Sequence, residues 1–183
     1  MGIRICLAFG ICGLEFNPLV MLLKIETGEN NPVLRKKSEP LKAINKKILR
    51  LINDMGKIIK KESGAGLAAP QVGKNIRLIL VLLNNKNIIP MINPEIITHS
   101  EETEYAEEGC LSLPGKWGNV QRCKEITVRY SDEKNGERTL KLSKFNARVV
   151  QHEIDHLNGI LFTDYLEEAH FLNVMDKKEI EML

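Results

Sequence analysis

Aromatic residues are scarce in this 183-residue sequence, at 5% with a single Trp. That argues against an aromatic platform for stacking single-stranded nucleic acid. Charge of one sign is also missing. Twenty-six Lys+Arg against 24 Asp+Glu leave a formal net charge of +2, too small a surplus to predict a nucleic-acid binder. Cysteine is limited to Cys6, Cys12, Cys110 and Cys123. No CxxC pair occurs, which excludes a four-cysteine zinc ribbon and a thioredoxin-type motif. A chain of this length can bury a core without disulfides, so buried or free thiols in a reducing compartment are expected. No repeat, low-complexity tract or linker divides the chain. The longest apolar stretch near the start, Ile3 to Leu14, falls short of the ~20 residues a membrane span needs. It has only Arg4 as a charged lead and no small-x-small cleavage site, so it is a poor signal peptide. Residues 1–20 read as an upstream extension, and Met21 opens the domain proper, residues 21–183. An added edge strand or hydrophobic arm is the structural alternative for the extension.

The chain is otherwise that of an ordinary folded domain, 43% hydrophobic and 27% charged. Leu41, Ile44, Ile48, Leu51, Ile52, Met55, Ile58 and Ile59 recur at helical spacing. An amphipathic helix is therefore predicted over 41–61, with Pro40 before it and Ser63-Gly64 after. Its other face carries Lys42, Lys46, Lys47, Arg50, Lys57, Lys60 and Lys61. This is a solvated face or, alternatively, an RNA or ribosome contact. Gly64 to Gly73 reads as a Gly/Ala-rich loop. Ile76 to Leu83 is an apolar run of strand length. Ile88 to Ile92 continues as strand, with Pro94 marking an edge or turn. Ile126–Tyr130 and Arg138–Leu142 alternate, and Asn135-Gly136 between them signals a hairpin. Phe145 to Leu157 reads as a second helix ending at Asn158-Gly159. Thr163 to His170 could add a short helical turn. This order suggests an α+β fold, with helices on a mostly antiparallel sheet.

The most informative stretch is Gln151-His152-Glu153-Ile154-Asp155-His156. Helical residues four apart lie about 40° apart around the axis, so His152 and His156 can aim at one ion. Glu153 falls about 60° from His156 and can reach a water there without being a ligand. Two surface histidines with an exposed Glu are the alternative. A catalytic metal usually takes a third protein ligand and keeps one open position. Cys110 is the best candidate for that ligand. Gly109 beside it permits close backbone approach, and Pro114-Gly115 is expected to shape a turn. One thiolate and one hydroxide would neutralise a divalent ion, although Cys110 could equally be a small core residue. In the Gly64–Gly73 loop the P-loop ending is absent. Gln71 there is either an amide donor for a developing oxyanion or a solvent-facing side chain on a flexible turn.

Taken together, three stretches resemble the peptide deformylase family. They are Gly64-Ala65-Gly66-Leu67-Ala68-Ala69-Pro70-Gln71, Glu108-Gly109-Cys110-Leu111-Ser112, and Gln151 to His156, in the family's order. Asn31-Pro32-Val33-Leu34-Arg35 and Ile92-Asn93-Pro94-Glu95 resemble two further family segments, so the likeness runs from about Met21 to Leu166. It implies a small single α+β domain, its mostly antiparallel sheets packed around a central metal-binding helix. It implies removal of the formyl group from the N-terminal formyl-methionine of new polypeptides, with release of formate. The implied ligands are Cys110, His152 and His156. They would hold one divalent metal, commonly Fe²⁺, with Zn²⁺, Ni²⁺ or Co²⁺ able to substitute. Glu153 would be the general acid/base, with metal-bound hydroxide attacking the formyl carbon. Gln71 and the Leu111 backbone N–H would hold the oxyanion. An extended substrate would lie against Gly64–Gly66 and Gly109–Leu113. Leu111, Val149 and His152, with Ala65 and Gly66 near, would line a methionine pocket. The implied partners are formyl-methionyl nascent peptides and, transiently, the ribosome. No membrane and no sequence-specific nucleic acid are implied. The location would be cytoplasmic, or organellar if residues 1–20 act as a targeting leader.

The sequence departs from the family pattern in two places. Ala65 stands where many members carry Ile or Val, which would widen the methionine pocket. Gly115-Lys116-Trp117-Gly118 replaces an Arg-containing stretch, so a substrate contact made there by Arg is in doubt. Trp117 would either cover the pocket or pack as a loop aromatic. Two other readings stand beside the deformylase. One is an HExxH peptidase cutting internal bonds. The other is a closed structural metal site, with Cys123 or His170 as a fourth ligand.

Overall fold

The computed structural model describes residues 23–84 and 87–166. The elements run α1 (Lys46–Lys61), β1 (Gly66–Ala68), a 3-10 turn (Ala69–Val72), β2 (Leu78–Leu83), β3 (Asn87–His99), β4 (Thr103–Cys110), β5 (Leu113–Cys123), β6 (Glu125–Ser131), β7 (Glu137–Ser143) and α2 (Lys144–Leu157). Strands β1, β2, β3, β6 and β7 form an antiparallel sheet in that order, and β4 and β5 form a separate two-stranded ribbon. The fold is α+β, as expected.

Period-two alternation explains why β2 is apolar throughout. Its Ile79 and Val81 face α2, packing with Val128, Val150 and Leu157, whereas Leu78 and Leu80 face α1, packing with Met55 and Ile59. Both faces are covered, so neither parity can be polar. A third cluster, Leu34, Leu113, Val120, Leu161 and Phe162, seals the ribbon against the rest. Helix α2 thus lies between the five-stranded sheet and the ribbon.

Several boundaries differ from the sequence expectation. Helix α1 starts at Lys46 rather than near 41. The Asn45 side chain accepts from the N–H groups of Lys47 and Ile48 and caps it there. Upstream, Leu41 exchanges hydrogen bonds with the Asn93 side chain (2.8 and 2.9 Å), which holds that segment extended. Pro94 neither ends nor turns β3. Residues before Ile92 pair only with β2 and those after it mainly with β6, across an irregular step between Ile92 and Glu95. Each half therefore has one unpaired side, where a proline costs no ladder bond. The Gly64–Gly73 stretch is not one loop, because Gly66–Ala68 pairs with β2 and Ala69–Val72 is 3-10 helix. Pro114-Gly115 lies inside β5, in an irregularity opposite Gly109-Cys110, and the chain reverses instead at Leu111-Ser112. Residues 162–166 are helical, and the rest of the expected turn, to His170, lies outside the described residues, as do Cys6, Cys12 and residues 1–20.

Candidate active site

Helix α2 supplies one wall of a cleft of about 540 Å³. Phe145, Arg148, Val149, His152 and Glu153 line it, the i, i+3, i+4, i+7, i+8 face of a helix. The β4–β5 ribbon supplies Gly109, Cys110, Leu111, Leu113 and Trp117, and the segment leading into β1 supplies Gly64, Ala65 and Gly66. Every residue assigned to the site from the sequence therefore lines this cleft except His156, which is buried behind His152.

Cys110, His152 and His156 offer ligand atoms that all lie within 4.8 Å of one another. Cys110 Sγ is 3.2 Å from His156 Nε2. The two imidazoles, one helical turn apart, meet edge to face with centroids 5.0 Å apart, close enough to share an ion. His152 Nδ1 is 2.9 Å from Glu108 Oε2, which leaves Nε2 for a metal. Of the three buried side-chain polar atoms without a hydrogen-bond partner among the described residues, two are here, His156 Nδ1 and Glu153 Oε2. Two imidazoles and a thiolate, with the unsatisfied Glu153 Oε2 beside them, fit a divalent ion with an open position. Cys123 is not in the cluster. Its backbone bonds Gln151 at both N–H and C=O, and its side chain packs on the core. His170 lies outside the described residues.

The groups around the cluster are strongly perturbed. Burial pushes the Glu153 carboxyl up to about 7 against the opposing pull of His152, and the charges of Glu108 and Asp155 push the same way as burial. Burial works against the charged form of His152, yet hydrogen bonds to Cys110 and Glu108 outweigh it and raise the ring to about 10. Burial, with the neighbouring His152 charge, drives His156 well down. A metal ligates only neutral imidazole, so loading this cluster at neutral pH is coupled to proton release.

Gln71 is buried and does not face solvent. Its Oε1 accepts from the Ala68 N–H (2.7 Å), which turns Nε2 toward Cys110 Sγ (3.4 Å) and Ser112 Oγ (3.2 Å). Gly66 has a specific reason to lack a side chain, since a Cβ there would come within 2.5 Å of Glu153 Oε1. Gly109 has another. The close approach inferred beside the thiol is made by the Trp117 ring, 2.5 Å from where a Cβ would sit. Trp117 lies on a strand, not a loop.

Sequence reasoning missed the support behind the ligands. Glu108 accepts from Arg122 (3.0 and 3.1 Å) and Arg148 (2.8 Å) as well as facing His152. Burial would raise its carboxyl, but the His152 and Arg122 hydrogen bonds prevail and hold it down at about 2. Arg122 also pairs with Asp155, which accepts from the Tyr165 hydroxyl (3.0 Å). Arg148 donates further to the carbonyls of Val120 (2.8 Å) and Glu104 (2.6 Å), clasping both ribbon strands to α2. One signal was available: Arg148 lies one turn before His152, on the same helix face.

A polypeptide deformylase family model matches residues 23–171. The peptide deformylase of Pseudothermotoga lettingae is 44% identical over 153 residues, 84% of this chain and 88% of that protein. That of Chlorobaculum parvum is 46% identical over 154 residues, 81% of each. Among solved structures, the Thermotoga maritima peptide deformylase superposes with a TM-score of 0.75 at 38% identity, covering 79% of this chain and 97% of that one. The Met-Ala-Ser-bound class I type b peptide deformylase of Acinetobacter baumannii gives 0.73 at 34%, covering 79% and 98%.

Proposed function

Since the chain belongs to the polypeptide deformylase family, hydrolases that remove the N-terminal formyl group from newly made peptides, we propose that it does so with one divalent metal held by Cys110, His152 and His156. The observation that carries this reading is the unpartnered, buried carboxylate of Glu153 beside that ligand cluster. A divalent ion, when bound, lowers the pKa of a coordinated water and polarises a carbonyl, supplying a nucleophile at neutral pH. The donor set suits Fe²⁺, Zn²⁺, Ni²⁺ and Co²⁺ alike, and Fe²⁺ is the expected cellular occupant.

Glu153 takes the proton of the attacking water and delivers it to the leaving amine. A carboxyl raised to about 7 is matched to both halves of that task near neutral pH. Gln71 Nε2, already aimed at Cys110, and the Leu111 N–H donate to the oxyanion that develops on the formyl oxygen. Glu108 orients the His152 ring. The substrate lies extended between Gly64–Gly66 and Gly109–Leu113, and its methionine side chain enters beside Leu111, Val149 and His152, with Ala65 and Gly66 near. The Met-Ala-Ser complex of the Acinetobacter relative supports a short peptide as the occupant of this cleft.

The thiolate in the ligand set favours this reading over an internal peptidase, whose third ligand is usually His or a carboxylate. Residues 21–183 would form the catalytic unit, with residues 1–20 an upstream extension, and the match over 23–171 supports that division. No helix among the described residues is long and apolar enough to cross a membrane. Cys110 and Cys123 are free thiols, which fits a reducing, cytoplasmic location. The basic face of α1 is the surface offered for a transient ribosome contact.

Anaerobically purified, metal-quantified protein should release formate from formyl-Met-Ala-Ser and leave its peptide bonds intact. The reading fails if no formate appears, or if Glu153→Ala leaves the rate untouched.

A further inference from the structure

The ribbon strand β4 alternates about the ligand Cys110. Glu108 and Cys110 turn inward, toward His152 and His156, so Gly109 between them points to the opposite face. On that face the Trp117 ring, from the residue paired with Gly109 across the ribbon, fills the space a Gly109 side chain would occupy. The ring is nevertheless 67% exposed and lines the cleft. Its neighbour Lys116 is held by Glu29 (2.7 Å), so the surface beside the indole is not an uncommitted cation. Among the described residues β4 pairs with β5 alone, which leaves its cleft-side edge for an added strand.

From this arrangement we propose that Trp117 is a specificity-determining residue. It forms an apolar platform for the side chain of the second substrate residue, the one after formyl-methionine. The inference rests on the deformylase reading and adds a preference at a position that the ligand cluster does not touch. A peptide strand laid along β4 with its methionine opposite Cys110, so that the formyl group before it reaches the ligand cluster, alternates as β4 does. Its methionine side chain shares the inward face with Cys110 and Glu108. The next side chain, aligned with Gly109, falls on the outer face. Cross-strand neighbours on one face touch. Gly109 puts no side chain of its own between them, so that second side chain meets the indole. Bulky apolar and aromatic residues gain most there.

The chain has a single Trp, so its fluorescence reports on this site alone. Formyl-Met-Phe-Ser and formyl-Met-Ala-Ser are compared on metal-loaded enzyme. A roughly three- to tenfold higher kcat/KM for the Phe peptide, mainly through KM, is expected from an aromatic pair. Trp117→Ala should bring the ratio near one, and Trp117→Phe should keep part of it. Met-Phe-Ser should blue-shift the tryptophan emission of the unmodified enzyme more than Met-Ala-Ser does, a readout that needs neither turnover nor a folded variant. Equal wild-type ratios, a ratio that survives Trp117→Ala, or an emission change blind to the second residue would each overturn the proposal. Formate release from formyl-Met-Ala-Ser judges the deformylase reading separately. If formate is released and the ratio is flat, only the Trp117 proposal falls.

Discussion

Helix α1 keeps Lys46, Lys47, Arg50, Lys57, Lys60 and Lys61 in water, on the side away from buried Ile52, Met55 and Ile59. Helix α2 turns Arg148, Gln151, Glu153 and His156 into the protein. The two helices have similar lengths, 16 and 14 residues, yet they use charge for opposite ends. On α1, charge marks the face that needs no partner. On α2, nearly every inward polar atom is matched, Arg148 to Glu108 and two strand carbonyls, Gln151 to Cys123 and Ala147. The unmatched atoms on that helix sit where chemistry is proposed. Buried polar groups cost free energy unless they are bonded. The exceptions on α2 are thus informative in a way that no exposed cation on α1 can be.

The largest effect should come from the atom that most breaks the pattern. Glu153→Gln preserves shape and removes the proton carrier, so formate release should fall by about 10²–10⁴. Metal content should stay near wild type, because Glu153 is proposed to handle protons and not to ligate. Single-turnover rates alongside metal analysis check this. A variant that loses its metal would instead make Glu153 part of the ligand set.

Arg148→Met tests the matched charges. It removes the donors that hold Glu108, Val120 and Glu104 and leaves a buried carboxylate to Arg122 and His152. Breaking one side of a buried ion pair typically costs about 3–5 kcal/mol. A large fall in denaturation midpoint is expected, with weaker metal retention because the clasp between the ribbon and α2 is gone. Denaturant titration of the apo and loaded forms separates the two losses.

This contrast also explains what the sequence made legible. The period of apolar residues revealed α1, β2, β6, β7 and α2, because each presents an apolar stripe to a neighbour. Strand β4, Thr103–Cys110, carries three glutamates among its eight residues. It looks like surface, yet Glu108 is an interior partner of two arginines. Strand β5 holds Pro114, Gly115 and Gly118, breakers by any local rule. Gly118 is nonetheless required, since a side chain there would strike Leu166. His152 and His156 were legible because two ligand-type residues four apart on a helix are rare, whereas Cys110 stood out as a ligand only through the family resemblance. Glu108, Arg122 and Arg148 were not, because a buried charge and an exposed one are the same letter until the fold supplies the partner.

On α1 the apolar side should dominate. Met55 is fully buried between the helix and the sheet. Met55→Ala should destabilise by about 2–5 kcal/mol through lost transfer energy and the cavity left behind. Chemical denaturation would show a lower midpoint at unchanged slope. Activity per folded molecule should stay near wild type, since Met55 belongs to the cluster between α1 and the sheet and Val149 of the cleft wall to the one on the other face. A drop in kcat on the folded fraction would mean that α1 and the site are coupled through the sheet.

The smallest effect belongs to the solvated cations, and its sign is informative. Lys60 is exposed, with Lys57 three residues before it and Lys61 beside it. Like charges at that spacing repel by roughly 0.2–0.5 kcal/mol, and Ala has a slightly better helix propensity than Lys. Set against this, Lys60 lies in the last turn, where a cation favours the helix dipole by about 0.3–1 kcal/mol at low salt. The terms nearly cancel, so Lys60→Ala should shift stability by no more than about 0.5 kcal/mol. Raising the salt concentration screens the repulsion and the dipole together, so the shift should shrink further. A loss of several kcal/mol at this one position would show that α1 holds an interior partner for Lys60, and the division between a solvated helix and a wired one would fail.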